Sequence, residues 1–178
     1  MITNIPLAER MRPKSLDQYV GQQHLVGKGS VLRELIEKGM VPSMILWGSP
    51  GIGKTTLANI ISNTTERSFF TLSAINAGVK DVREIIQKAN SQQFFAEKNP
   101  ILFIDEIHRF SKSQQDSLLG AVESGTITLI GATTENPSFE VISALLSRCQ
   151  VYTLEPLNRD ELIGLVNHAL KNDEHLKN

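Results

Sequence analysis

A chain of 178 residues, 40% apolar and 21% charged, is long enough for one domain with its own core, and a net charge of −1 excludes a globally basic nucleic-acid binder. The single cysteine, Cys149, excludes an internal disulfide and a cysteine-built zinc site. No apolar run reaches the length of a membrane span, and Met1-Ile2-Thr3-Asn4-Ile5-Pro6 lacks a signal-peptide core, so the expected location is the cytoplasm.

In chain order, a helix is predicted over 29–39, and Gly39-Met40-Val41-Pro42 then punctuates the step into a strand at 43–47. A helix follows at 54–65, a strand at 68–72, and a helix at 79–95 whose Val82, Ile85, Ile86 and Ala89 fall on one stripe. Further strands are predicted at 100–104, 127–132 and 150–153, and further helices at 112–123, 139–146 and 158–171. This alternation predicts a parallel sheet with helices on both faces. Ile101-Leu102-Phe103-Ile104 and Ile127-Thr128-Leu129-Ile130 read as central strands buried on both sides. The last helix carries Leu162, Leu165, Val166 and Leu170 on one face, with nothing of its own to pack on, and runs into the polar tail 171–178. The expectation is therefore one α/β unit over 1–155, followed at 156–178 by the truncated start of a second, helical domain.

The strand at 43–47 runs into Gly48-Ser49-Pro50-Gly51-Ile52-Gly53-Lys54-Thr55, which satisfies G-x-x-x-x-G-K-[ST] at every fixed position. Glycines let such a loop curl its N–H groups inward onto phosphate oxygens, and the N-terminus of the next helix favours the anion. Lys54 is placed for the β- and γ-phosphates, and the Thr55 hydroxyl for Mg²⁺. The strand at 100–104 ends in Asp105-Glu106, where a phosphate-loop ATPase needs its metal-supporting carboxylate. Asp105 would hold the metal directly or through a water, and Glu106 would polarise the attacking water. At the end of the neighbouring strand Thr133 and Thr134 compete for contact with the γ-phosphate or that water, and either could instead be a plain strand-end residue. Arg148, at a helix end, is either a solvated charge or a guanidinium presented to a neighbouring subunit's nucleotide. Cys149 reads as a small buried hydrophobe. His108 has no second metal ligand at useful spacing and reads as a surface residue near the site.

These pieces, in this order, resemble an AAA+ ATPase: Walker A at 48–55, Walker B at 101–106, Ala132-Thr133-Thr134 as sensor 1, and the arginine-finger tripeptide Ser147-Arg148-Cys149 of clamp-loader subunits. The stretch from Pro6-Leu7-Ala8-Glu9-Arg10-Met11-Arg12-Pro13 to Tyr19-Val20-Gly21-Gln22 resembles the N-terminal box of the clamp-loader and Holliday-branch-motor clade. Together with Gly131-Ala132-Thr133-Thr134-Glu135-Asn136-Pro137-Ser138-Phe139 it is most similar to the RarA/MgsA family of replication-associated recombination proteins, over nearly the whole chain.

The resemblance implies a phosphate-loop α/β fold, a five-stranded parallel sheet of order 5-1-4-3-2, and ATP with Mg²⁺ bound at a subunit interface of a homo-oligomer. Leu7, Ala8, Arg12, Pro13, Tyr19 and Val20 would border the adenine, and residues Gly48, Ser49, Pro50, Gly51, Ile52, Gly53, Lys54, Thr55 and Thr56 would hold the phosphates. Thr55 and Asp105 would serve the metal. Glu106, Thr134 and (in trans) Arg148 would serve hydrolysis, with Thr134 aligning better than Thr133 with the sensor. Ser73 sits where relatives place a polar residue that restrains the Walker B glutamate. The implied partners are DNA at forks, gaps and single-stranded ends, together with replication and repair proteins, and the implied location is nucleoid-associated. Lys80, Arg83, Lys88, Arg109 and Lys112 fall where related assemblies face DNA, although each alone reads as an ordinary surface charge. Family members continue into a lid with a second sensor arginine and an oligomerisation domain, so weak ATP binding and little turnover are expected of this chain alone. A nucleotide-gated recruitment switch that hardly hydrolyses is the alternative. A small-molecule kinase lacks any recognisable acceptor-binding segment.

Overall fold

The computed structural model describes residues 5–93 and 98–176. Positions 94–95 of the predicted helix 79–95 lie outside the described residues, as do 1–4 and 177–178.

Five strands, β1 (Met44–Trp47), β2 (Phe69–Ser73), β3 (Ile101–Asp105), β4 (Thr128–Thr133) and β5 (Gln150–Thr153), form one sheet in the order β2-β3-β4-β1-β5. Every pairing is parallel. This is the expected order 5-1-4-3-2, read from the other edge. The helices are α1 (Leu7–Arg10), α2 (Gln23–Val26), α3 (Val31–Glu37), α4 (Lys54–Thr65), α5 (Val79–Gln93), α6 (Lys112–Glu123), α7 (Pro137–Glu140), α8 (Ser143–Leu146) and α9 (Arg159–Asn172). A 3-10 turn, Ile107–Arg109, comes directly after β3.

The two-residue period of the central strands sorts the core into two layers. Met44, Leu46, Ile101, Phe103 and Ile130 point to one face and pack with Ile36 of α3 and Leu57, Ile60 and Ile61 of α4. Ile45, Leu102, Ile104 and Leu129 point to the other and pack with Val82 and Ala89 of α5, Leu118 of α6 and Leu145 of α8. These are fully buried, which accounts for the unbroken apolar runs of the sequence. At about 1.5–3 kcal/mol per buried aliphatic side chain, this double-sided burial holds the sheet rigid.

One predicted helix is not continuous. The stretch expected as 139–146 is two short helices, because Val141 and Ile142 are extended, at ψ 134° and 143°. Gln115 fixes the break: its buried amide accepts from the Ile142 N–H at 2.8 Å and donates to the Glu140 carbonyl at 2.9 Å. A side-chain amide thus replaces the backbone bonds a continuous helix would make.

Gly131 sets how closely the 3-10 turn approaches the sheet. A Cβ there would come within 2.8 Å of Ile45 Cδ1 and 3.0 Å of Ile107 Cδ1. The bare backbone of β4 lets Ile107, fully buried, settle the turn onto the strands.

The N-terminal arm is clipped to the far end of the chain. Gln22 donates to the Glu155 carbonyl at 2.6 Å and accepts from the Glu155 N–H at 2.8 Å. Arg10 makes a two-pronged contact with Asp173, Nε to Oδ2 at 2.8 Å and Nη2 to Oδ1 at 3.1 Å. Among the described residues no helix is long and apolar enough to cross a membrane.

Candidate functional site

The loop at 48–53 leaves β1 at the C-terminal edge of the sheet, where ligands of open α/β folds bind. It closes onto α4 at Gly53, which has φ 101°. Only glycine adopts that backbone freely, and a Cβ there would lie 2.8 Å from the Tyr19 hydroxyl. That hydroxyl donates to the Gly53 carbonyl at 3.1 Å, and burial pushes the phenol well above its ordinary pKa. At the other end Gly48 donates its N–H to the Thr133 carbonyl at 3.1 Å, and a Cβ on it would meet the Leu154 carbonyl at 2.7 Å. The loop is therefore pinned at both ends, with no room for a side chain at Gly48 or Gly53.

Lys54 Nζ donates to the Gly48 carbonyl at 2.6 Å and the Ser49 carbonyl at 2.8 Å. Burial lowers its pKa, while Glu106 and Asp105 oppose that shift. The ammonium spans the loop it serves, close to the point where an anion would replace the carbonyls.

A cleft of about 480 Å³ runs from Pro50 and Gly51 past Lys54, Thr55 and Thr56 to Asp105 and Glu106. The loop lysine, the hydroxyl and both carboxylates expected to act on phosphate and metal thus share one cavity. Among the described residues no group of three or more His, Cys, Asp or Glu could hold a metal by itself. Thr55 and Asp105 nevertheless fit Mg²⁺, which takes few protein oxygens and completes its shell from phosphate and water.

A second, apolar chamber of about 380 Å³ adjoins this cleft, lined by Leu7, Ala8, Pro13, Tyr19 and Val20 with Gly51–Gly53 and Thr56. Five of the six residues expected around a base line it. Arg12 lies in the phosphate cleft instead, where its Nη1 donates to the Thr56 hydroxyl at 3.2 Å and its Nε to Glu9 at 3.0 Å. Sequence reading missed the chamber's opposite wall, formed by Leu157 with Leu165, Val166 and Ala169 of α9. The apolar stripe of α9 was visible, but its seat against the N-terminal arm depends on contacts across more than 140 positions.

Glu106 is held unusually. Its backbone is left-handed, at φ 56°, a conformation uncommon outside glycine. Its Oε2 lies 3.3 Å from His108 Nε2 and 3.9 Å from Arg109 Nε. His108 is not the surface residue expected: its side chain is 11% exposed, and Nδ1 lies 3.0 Å from the Thr133 hydroxyl. The left-handed step turns the chain back after β3, so a residue two positions past Glu106 reaches its carboxylate. Ser73 is opposite Asp105 in register, and among the described residues its side chain makes no hydrogen bond to Glu106.

Of the two threonines, Thr133 is fully buried and its hydroxyl is occupied by His108 and by the Glu135 backbone. Thr134 comes just past the strand end and is partly exposed. Arg148 lines neither cavity. It is exposed, paired with Glu123, and donates from Nη1 to Ser147 Oγ at 3.0 Å. Cys149 is packed against the second core layer, and burial pushes its thiol up to about 11. Of the five cations placed near DNA by resemblance, Lys80 lies 3.9 Å from Glu84 and Arg109 3.9 Å from Glu106.

Residues 44–157 match the family described as ATPases associated with various cellular activities (AAA). The chain is 54% identical over 170 residues to replication-associated recombination protein A of Coxiella burnetii, covering 96% of this chain and 38% of that protein. It is 52% identical over 166 residues to the protein of that name from Escherichia coli K12, covering 93% and 37%. Among solved structures, the Thermotoga maritima RuvB Holliday junction branch migration motor superposes with a TM-score of 0.76 at 32% identity, covering 90% of this chain and 54% of that one. The chain therefore spans well under half the length of the two curated relatives.

Proposed function

Because the chain belongs to the AAA family of ATPases, with replication-associated recombination proteins among its relatives, we propose that it binds MgATP in the paired cavities and hydrolyses it to drive a DNA-directed assembly. The observation that carries this reading is the single cleft shared by Lys54, Thr55, Asp105 and Glu106. The apolar chamber takes the base, against Leu7, Ala8, Pro13, Tyr19 and Val20. The loop N–H groups and Lys54 take the phosphates, with Lys54 exchanging two carbonyl partners for phosphate oxygens. Thr55 and Asp105 would hold Mg²⁺, which would supply positive charge against that developing on the phosphates. Glu106 orients the attacking water and accepts its proton, and Thr134 steadies that water from the neighbouring strand tip. Arg148, free of both cavities, serves the nucleotide of an adjacent copy after releasing Glu123. Forks, gaps and single-stranded ends are the DNA substrates expected of the assembly, and the nucleoid its location. The unit at 1–155 carries the chemistry and 156–178 opens the helical lid. With α9 so lightly seated, the 178-residue chain alone should bind ATP weakly.

The test compares Glu106→Gln and Arg148→Ala with the unsubstituted full-length gene product. Glu106→Gln should bind ATP normally and lose about 10²-fold or more in turnover. Arg148→Ala should lose about 10³-fold, and only in conditions where copies assemble. Forked or gapped DNA should raise the wild-type rate. Function of the full-length protein that survives the loss of hydrolysis in Glu106→Gln would favour a nucleotide-gated recruitment switch, and turnover unchanged by both substitutions would sink the roles given to Glu106 and Arg148.

A further inference from the structure

We infer that His108 is a positioning residue for hydrolysis, fixing the Glu106 carboxylate from the tip of β4; this role rests on the hydrolytic reading proposed for the site. Three groups stand in line: the Thr133 hydroxyl, hydrogen-bonded to His108 Nδ1 at 3.0 Å, the His108 ring, and Glu106 Oε2, in close contact with Nε2 at 3.3 Å. An ionised carboxylate only accepts, so an attractive contact at 3.3 Å requires a hydrogen on Nε2. At the other end the Thr133 oxygen takes the Glu135 N–H at 3.0 Å, and its single O–H lies between His108 Nδ1 at 3.0 Å and the Glu135 carbonyl at 3.1 Å. Thr133 itself is fully buried in the sheet.

The consequence lies at the other carboxylate oxygen. His108 occupies Oε2, and among the described residues Oε1 makes no hydrogen bond or ion pair. One oxygen is held against His108, and the other, on a residue that lines the cleft, keeps its lone pairs available to a water. This is the arrangement of a base oriented by a second group, which is oriented in turn by a third. Thr133 also belongs to the strand whose next residue is Thr134, and its carbonyl receives the Gly48 N–H of the phosphate loop at 3.1 Å. The anchor of Glu106 is therefore the same residue that braces the loop.

The experiment measures steady-state ATP hydrolysis and equilibrium ATP binding for the full-length gene product and its His108→Ala, Thr133→Val, Thr133→Ser and doubly substituted forms, with Glu106→Gln as reference. Loss of the close contact with the charged carboxylate predicts a fall of about tenfold or more in kcat for His108→Ala. KM and ATP affinity should stay within a factor of about two, since the anchor is not a binding contact. Thr133→Val should give a smaller fall, Thr133→Ser should restore it, and the double variant should be no worse than His108→Ala alone. Independently of activity, ¹⁵N-edited spectra of the nucleotide-free wild type should show the His108 ring held in one state with a proton on Nε2. A freely averaging ring, an unchanged or raised kcat in His108→Ala, or fully additive losses would overturn the inference. If Glu106→Gln itself hydrolyses normally, the hydrolytic reading fails first. If Glu106→Gln is inactive while His108→Ala is not, only the positioning role fails. Should His108→Ala not fold, the Thr133 pair and the wild-type ring spectra decide.

Discussion

The phosphate end and the base end of this site are built on different principles. The phosphate end grows out of the sheet: β1, β3 and β4 are fully buried for most of their length, and the loop is fastened by Tyr19, Thr133 and its own lysine. The base end is assembled from the two extremes of the described chain, α1 with the arm behind it and α9. No residue of α9 itself is buried, and Leu162, Ile163, Val166 and Leu170 stay 44–59% exposed. Rigidity is concentrated where charge must be met at fixed distance. The wall of the apolar chamber is joined by few contacts, and few buried contacts make it the less costly side to open.

Substitution at the rigid end should have the largest effect. Gly53→Ala places a Cβ against the Tyr19 hydroxyl at a backbone angle alanine rarely adopts. Nucleotide binding should fall by about tenfold or more, as calorimetry would show, and near-normal binding would mean that the loop is less fixed than its bonds suggest.

At the pliable end the expected effect is intermediate and depends on pH. The hydrogen bond and charge of Arg10 hold Asp173 below its ordinary carboxyl pKa. A depressed folded-state value means that the contact contributes fully above the unfolded value of about 3.8 and is lost as pH falls through the lower folded one. Methyl resonances of Leu165 and Val166 should hold still from neutral pH to about 5 and move only below about 4. Arg10→Ala should produce that displaced spectrum at neutral pH, weaken ATP binding several-fold, and leave the phosphate loop resonances in place. Movement of both ends together would erase the contrast between them.

The seam should show the smallest change. Tyr19→Phe removes one neutral hydrogen bond to Gly53, worth about 1 kcal/mol, while keeping the ring in the chamber wall. A loss of about five-fold in affinity is the expected reading, and a much larger one would make the seam part of the rigid end.

The legibility of the site in the sequence obeys the same division. Gly48–Thr55 and Asp105-Glu106 could be read because their chemistry is local: turn, cradle and acids lie within a few positions of a buried strand. The buried central strands match what continuous apolar runs require, and the strand order is the one that the family resemblance implied. What could not be read depends on distant or irregular contacts. The break at Val141-Ile142 is imposed by Gln115 from another helix, and the seating of α9 depends on Asp173 finding Arg10. His108 had a visible signal, a histidine two residues after the acid pair. Its meaning requires the left-handed backbone at Glu106, which no propensity of glutamate announces.

Gly131 gives this arrangement a point of fragility away from every polar group. It touches no nucleotide-facing atom, yet the absent methyl group is the space that Ile107 fills, and the turn bearing His108 rests on Ile107. One added carbon there would meet Ile45 Cδ1 at 2.8 Å and Ile107 Cδ1 at 3.0 Å, so the side chains that seat the turn would have to shift while each motif in the sequence stays intact. A variant chain could thus keep every signature residue of an ATPase and hold the turn that bears His108 in a different place.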